Sequence, residues 1–227
     1  TDSDPCTVNE HCSGGACSDT DPKDCSGMDD ECNTGECNPS NGNCIQQPGT
    51  SVRLQTLADR GMWRAQYRNF GGWETLVTSH SVDAGNDRAG ARWYSMEKIG
   101  SGAWHIHDQG TWAPSDGLNG WMPSAAMDKS GDIAVGYSPP NGTAPNYPSI
   151  AYAARLATDP PGTLGTEQQL IAGTGSQTGT IGRWGDYSGM SIDPVDDCTF
   201  WYTTEYIQTT GATPWKTRIG SFKFPSC

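Results

Sequence analysis

Long hydrophobic runs are missing from this sequence. No window approaches the roughly 18 consecutive apolar residues that a membrane-spanning helix requires, so we predict no membrane span. A signal peptide is also missing, and if the protein is exported we expect Thr1 to be a mature or trimmed start.

Positively charged residues are few in this sequence. The chain has 26 Asp and Glu against 14 Lys and Arg, which gives a net charge of −12. Residues 1–49 contain ten Asp or Glu and one Lys, whereas residues 50–227 are nearly balanced at −3. Neither part has the basic patch that binds nucleic acid or anionic membranes, so we predict no nucleic-acid partner.

Residues that favour helices are scarce, and residues typical of strands and turns take their place. The 227 residues include 29 Gly, 15 Pro and nine Trp. Because this composition is typical of short strands joined by many turns, we predict an all-β protein.

The first 49 residues have almost no aliphatic side chains and therefore cannot bury a core of their own. Seven of the nine cysteines lie between Cys6 and Cys44. Disulfides are the obvious substitute for a core, and they indicate a secreted or cell-surface protein. Structural zinc is the alternative, but no C-x2-C pair occurs and His11 is the only local histidine. If these seven cysteines pair among themselves, one is left over, and a leftover thiol in an exported protein suggests an outside partner.

This acidic segment, residues 1–49, repeats internally, because the cysteine pattern that starts at Cys6 recurs from Cys25 after about 20 residues. Its carboxylates favour either a soluble surface or a Ca²⁺ site with Asp19, Asp21 and Asp24 as ligands; no other cofactor is expected. The segment resembles the Asp- and Cys-rich repeats of secreted proteins from myxobacteria and related bacteria. We interpret it as a small disulfide-rich domain.

The remaining part, residues 50–227, repeats on a longer period. The run from Met127 to Tyr137 matches the run from Ile192 to Tyr202 at an offset of 65 residues, and each has the pattern strand, Asp-rich turn, strand. Further strand patterns predict three sheets of about four strands, over residues 62–118, 119–182 and 183–227. Such units are typical of β-propeller blades, and three cannot close the usual ring. We therefore predict an incomplete β-propeller.

The third predicted sheet lacks a fourth strand after Phe224. Ser51–Leu57 has strand character and no partner of its own, so we expect it to join the last or the first sheet. Two open sheet flanks would remain. We therefore predict a homo-oligomer, or a second chain that completes the propeller. A compact monomer whose flanks are covered by the cysteine segment is the alternative.

Residues 50–227 also resemble the C-terminal part of a widespread family of uncharacterised secreted bacterial proteins. The resemblance covers nearly all of this part and is carried by RLQTLADR (53–60), YRNFGGWETLV (67–77), IAGTGSQTGTIGRWGDYSGMSIDP (171–194), DDCTFWYTTEY (196–206) and KTRIGSFKFPSC (216–227). It implies a family but no activity. Longer members carry more propeller-like sequence upstream, where this chain has its cysteine segment.

The start of the third predicted sheet is the candidate ligand site. Inner strands of propellers line a central channel, so charged and aromatic residues here would face a ligand. The candidates are Arg183, Trp184, Asp186 and Tyr187, with Trp121 at the equivalent position of the second sheet. Packing between blades, with a buried Arg–Asp pair, is the alternative.

A sialidase-like or other glycosidase-like hydrolase would need several arginines that converge on a carboxylate. The available residues are Arg64, Arg68, Arg183, Asp186, Tyr187 and Glu205. The Asp-box pattern of sialidases is absent, and we assign no catalytic residue.

Two further patterns allow metal binding. The Asp-rich turns at 128–132 and 193–197 favour ordinary hairpin turns, with Ca²⁺ as the alternative. His105 and His107 would share one face of a strand, but a third ligand is not evident.

Cys198 and Cys227 are the only cysteines of the β part, and we predict that they pair. Taken with the fold, these patterns predict an extracellular, non-enzymatic binding or assembly subunit whose ligand is a carbohydrate or another protein. The alternatives are a glycosidase-like propeller hydrolase and a purely structural surface protein.

Overall fold

The computed structural model describes residues 45–58, 60–85, 88–179 and 182–227, together with the backbone of four short upstream strands. These strands are β1 (Thr7–Val8), β2 (His11–Ser13), β3 (Ala16–Ser18) and β4 (Asp21–Pro22). β1 pairs with β4 and β2 pairs with β3, both antiparallel. The disulfides predicted within the cysteine segment lie outside the described residues. So do the side chains of its candidate calcium ligands, Asp19, Asp21 and Asp24.

The first large sheet contains four antiparallel strands in chain order. They are β5 (Gln66–Asn69), β6 (Trp73–Asp83), β7 (Ala89–Ile99) and β8 (His105–Trp112). The sequence alternates apolar and polar residues along β6 and β7, and the structure buries every second side chain. This alternation is the pattern of a sheet that is covered on one face only.

Two more antiparallel sheets follow. The second contains β9 (Trp121–Met127), β10 (Ile133–Ser138), β11 (Ile150–Arg155) and β12 (Gln168–Ile171). The third contains three strands, namely β13 (Gly189–Ile192), β14 (Phe200–Ile207) and β15 (Trp215–Phe222). The three sheets of four, four and three strands confirm the prediction of an incomplete, propeller-like all-β fold. No helix in the described ranges is long and apolar enough to cross a membrane.

The second sheet is enclosed between the other two. Every residue of β9 and β10 is buried. One face packs on the first sheet, where Val135 and Tyr137 share a core with Trp93. The other face packs on the third sheet, where Ala134 shares a core with Phe200 and Tyr202.

The 65-residue offset found in the sequence holds in the packing. Val135 and Tyr137 are buried against the preceding sheet, and their equivalents Phe200 and Tyr202 are buried against the preceding sheet as well. The repeat is therefore a repeat of sheet-on-sheet packing as well as of strands.

The prediction for Ser51–Leu57 is wrong. This run adds to neither outer sheet; Leu54 instead forms an isolated bridge with Ile45, and the Gln55 N–H donates to the Gly182 carbonyl at 2.8 Å. Both Ile45 and Leu54 are fully buried beside Trp184. A short apolar run gains more by filling this core than by extending a sheet edge.

Antiparallel order places the loops at two opposite ends of the molecule. The end that we call the upper end holds the turns β6–β7, β10–β11 and β14–β15 and the two connections between sheets. The lower end holds the turns β5–β6, β9–β10 and β13–β14 and the loops β7–β8 and β11–β12.

The lower end is fastened by a disulfide and an ion pair. Cys198 and Cys227 are joined as predicted, with their Cα atoms 5.6 Å apart. Arg68 donates from both terminal nitrogens to the Asp197 carboxylate at 2.7 and 2.6 Å, and its Nε donates to the Met127 carbonyl at 3.1 Å. Arg68 thereby joins all three sheets at this end.

Candidate functional site

Two of the predicted ligand residues belong to the core. Trp121 and Trp184 are fully buried, and their ring centroids lie 5.2 Å apart in a tilted pair. They pack with Ile45, Leu54 and Met122 beneath the upper end. Neither ring offers a surface to a ligand, so packing between the sheets accounts for this part of the motif.

The rest of the motif forms an exposed cluster at the upper end. Arg183 contacts Asp186 Oδ1, and Arg60 Nη2 donates to the same oxygen at 3.1 Å. The Arg60 guanidinium also lies over the Tyr187 ring, with Cζ 4.8 Å from the centroid. We name Arg60, Arg183, Asp186 and Tyr187 the rim cluster.

The rim cluster combines an aromatic face with an excess of hydrogen-bond donors. Two guanidiniums share one carboxylate, which leaves positive charge and free N–H groups at the surface. Tyr187 is 45% exposed. Aromatic faces flanked by charged hydrogen-bonding groups suit sugars and polar peptide surfaces. The Arg–Asp pair is therefore exposed here, whereas the packing interpretation expected it to be buried.

Arg60 was not among the predicted site residues. It lies 126 residues from Asp186 in the sequence and meets it through its guanidinium. Its only sequence signal is its position in RLQTLADR, one of the runs that carry the family resemblance.

The residues considered for a glycosidase-like site are only partly brought together. Arg68 is held at the lower end by Asp197, whereas Arg183 and Asp186 lie at the upper end. Glu205 lies against Gly185, near the rim cluster, and accepts a hydrogen bond from Thr204 Oγ1 at 3.1 Å. Of the predicted arginines, Arg183 therefore lies at the rim carboxylate, whereas Arg68 does not.

The Asp-rich lower turns use their carboxylates on their own backbone. Asp128 Oδ1 accepts from the N–H groups of Ser130 and Asp132 at 2.8 and 3.0 Å. Asp196 Oδ1 accepts from the N–H groups of Cys198 and Thr199, both at 2.9 Å, and the Thr199 bond is the main cause that lowers the pKa of Asp196. These contacts are those of ordinary hairpin turns. Within the described ranges, no group of three or more His, Cys, Asp or Glu is arranged to hold a metal.

The two histidines of β8 flank one carboxylate. His105 Nε2 lies 3.8 Å from Glu97 Oε1, and His107 Nδ1 lies 3.6 Å from Glu97 Oε2. The imidazoles approach different oxygens of Glu97. This arrangement is that of two weak ion pairs, which form only when the histidines are protonated.

Comparison of the chain with protein-family models and with curated proteins finds no match. The family resemblances seen in the sequence therefore stay predictions.

Proposed function

We propose that this chain is an extracellular, non-enzymatic binding or assembly subunit whose two outer sheets accept further propeller blades. One observation carries the proposal: the second sheet is covered on both faces, whereas the first and third sheets are each covered on one. The described part of the chain has ten large, exposed apolar side chains, and all ten belong to the segments of those two outer sheets. They are Trp63, Tyr67, Ile99, Trp104, Ile106, Tyr187, Val195, Trp201, Trp215 and Ile219.

The uncovered face of the first sheet carries a row of apolar side chains. Tyr67 pairs with Leu76, Leu76 with Met96, and Met96 with Ile106, so the row crosses all four strands. Residues that are directly opposite in antiparallel strands share a face. Tyr67 and Ile106 are exposed, and Leu76 and Met96 are half-buried. The row is a surface that a neighbouring sheet would bury.

The uncovered face of the third sheet is also partly apolar. Trp201 and Ile219 lie on this face, and Ile219 is 67% exposed. Thr203 and Thr217 lie on the same face, where Thr203 is opposite Ile219 and Thr217 is opposite Glu205. Sheet-on-sheet contact here would resemble the contact that the second sheet already makes on both sides.

The partner is either a second copy of this chain or a different chain that supplies the missing blades. Two copies would give six sheets, within the four to eight of closed propellers. The Cys198–Cys227 disulfide supports export, since such bonds persist in oxidising compartments. A purely structural surface protein would use the same contacts.

Light scattering of the purified chain tests the assembly role. We expect a mass of twice 24.3 kDa for a pair of copies. Ile106→Glu and Ile219→Glu should each shift the mass to that of one chain, because each places a charge in an apolar contact. Val195→Glu is the matched control, since Val195 is 92% exposed in the β13–β14 turn, away from both faces. A wild-type mass of one chain, unchanged when a second chain with propeller blades is added, would reject the proposal.

The rim cluster supports a second role, binding of a carbohydrate or of a partner's polar surface. The exposed Tyr187 ring is held against Arg60, beside donors from Arg183. A glycan array followed by titration calorimetry tests this role. We expect Tyr187→Ala and Arg183→Ala to lower affinity for any bound glycan at least about tenfold, while Trp201→Ala, on the third-sheet face, leaves it unchanged.

A further inference from the structure

A cavity opens at the upper end, between the first and second sheets. Its volume is about 440 Å³. Its walls come from the start of β7, from the connection between β8 and β9, and from the loop between β10 and β11. The side chains that line it are those of Gln46, Arg88, Ser115, Asn119 and Asn141, with two glycines. None of them belongs to the rim cluster.

The side chains that line this cavity are polar. Its lining has three amides, one hydroxyl and one guanidinium, and no aliphatic or aromatic side chain. Arg88 is the single charged residue among them. A cavity of this volume is within the range of small-molecule sites, yet it lacks the apolar walls that most of them have. Its ligand must therefore be bound through hydrogen bonds.

Arg88 has hydrogen-bonding capacity left for a ligand. Its Nη1 donates to the Pro114 carbonyl, which fixes the guanidinium against the wall. Its Nη2 donates to no group in the described ranges, and the side chain is half-buried at the cavity wall. A partly buried guanidinium N–H is stabilised by an acceptor. A carboxylate is the acceptor that suits a guanidinium best, because it receives two parallel N–H bonds.

Two of the three amides differ in what they bond. Asn119 is buried and holds the wall, since Oδ1 accepts from the Ala89 N–H at 2.9 Å and Nδ2 donates to the Pro140 carbonyl at 2.8 Å. Asn141 accepts from the Thr143 N–H at 2.8 Å through Oδ1, and its Nδ2 donates to no described group. Arg88 Nη2 and Asn141 Nδ2 are therefore both donors without acceptors among the described residues that line this cavity.

We propose that this cavity binds a hydroxyl-rich ring that carries one carboxylate, the chemistry of a uronic acid. Arg88 pairs with the carboxylate, while Asn141 and Ser115 hydrogen-bond ring hydroxyls. The site goes beyond the assembly role and does not depend on it, because its walls come from the first two sheets of one chain.

Titration calorimetry of the full chain with D-glucuronate, and with D-glucose as the neutral comparison, tests the site. We expect glucuronate to bind at least ten times more tightly than glucose, and Arg88→Gln to remove that difference. Arg183→Gln is the matched control at the same end of the molecule, and it should leave glucuronate affinity unchanged. Absence of glucuronate binding, or equal binding by Arg88→Gln, overturns the proposal. Loss of binding in Arg183→Gln would move the site to the rim cluster and overturns it as well.

A second variant separates loss of binding from loss of fold. Asn141→Asp keeps an oxygen that accepts from the Thr143 N–H and adds a negative charge to the cavity. We expect it to weaken glucuronate binding at least tenfold and to leave glucose binding unchanged. Circular dichroism of each variant must match the wild type. If folded Asn141→Asp binds glucuronate as tightly as the wild type, the ligand does not occupy this cavity.

Discussion

The ring of Tyr202 lies directly over Gly136, in the space that any side chain at position 136 would fill. Tyr202 is fully buried, and burial is the main cause that raises the pKa of its hydroxyl. The third sheet thus packs on the second with the Tyr202 ring against Gly136. The equivalent of Gly136 in the third sheet, 65 residues on, is Trp201. A further sheet placed there must pack around an indole, and so it differs in detail from the contact seen here.

Gly136→Ala should destabilise the fold by about 1–3 kcal/mol, since the added methyl group overlaps the Tyr202 ring in a filled core. Urea denaturation followed by tryptophan fluorescence measures the change. Gly72→Ala is the control, because a Cβ at position 72 meets nothing within 4 Å. Equal stability of Gly136→Ala and the wild type would show that the two sheets pack differently.

The ion pair between Arg68 and Asp197 should stabilise the lower end by about 1 kcal/mol at neutral pH, reduced by the half-exposed state of Asp197. Hydrogen bonds from Arg68 hold the pKa of Asp197 below its ordinary value of 3.8. A lowered pKa in the fold gives stability that is present above the unfolded value and is lost as the pH falls through the folded one. Arg68→Gln should therefore be less stable than the wild type at pH 7, and the difference should shrink in strong acid to the part that comes from the Met127 hydrogen bond.

Thermal denaturation from pH 7 downward through 3.8 measures that difference. Arg64→Gln is the matched control, since Arg64 is exposed and its side chain makes no ion pair or hydrogen bond with the described residues. A difference between Arg68→Gln and wild type that stays constant with pH would assign the effect to packing and not to charge.

Asp128 should show the opposite pH dependence. It is fully buried, its Oδ2 has no hydrogen-bond partner in the described part of the chain, and burial raises its pKa above 3.8. A raised pKa means that ionisation opposes folding, so its stabilising contribution is complete in acid and is lost as the pH rises through the folded value. Asp128→Asn should therefore raise the denaturation midpoint at pH 7 and have no such benefit below pH 3.8.

Asp196→Asn supplies the comparison with the opposite sign. Backbone hydrogen bonds from Thr199 and Cys198 lower the pKa of Asp196, so its neutral replacement should lower the midpoint at pH 7. If the two replacements change the midpoint in the same direction, the carboxylates do not act through their charge.

The Cys198–Cys227 disulfide closes a loop with a sequence separation of 29. Its loss should reduce the free energy of unfolding by about 3 kcal/mol, through the greater freedom of the unfolded chain. Replacement of both cysteines by alanine, followed by urea denaturation, measures this loss. Peptide mapping without reductant must recover the two cysteines in one linked peptide; recovery of either as a free thiol contradicts the structure.

The sequence was enough to predict the sheets, because each strand pattern is local and because one pattern of the second sheet recurs in the third at an offset of 65 residues. The run from Ile192 to Tyr202 could be placed by comparison with the run from Met127 to Tyr137, and the structure confirms both. The Cys198–Cys227 pair could be predicted because no other cysteine lies in the β part.

The candidate sites were harder to predict, because they depend on which way each side chain points and on distant segments. Trp121 and Trp184 have the same sequence signal whether the ring faces a channel or a core. Arg60 lies 126 residues from Asp186, and Arg88 lies 26 residues from Pro114, the residues that they contact in space. Ser51–Leu57 has strand character, but Leu54 bridges to Ile45 instead of joining a sheet. That pairing is not visible in a single run of residues.

The enclosed second sheet sets an order of events during partial unfolding. The backbone amides of β9 and β10 can reach water only after a neighbouring sheet has detached, because both strands are buried along their whole length. The first and third sheets can each open alone, since each has one solvent-exposed face. Deuterium should therefore enter β10 last, and local opening events should remove an outer sheet while the middle one still holds its partner on the other side.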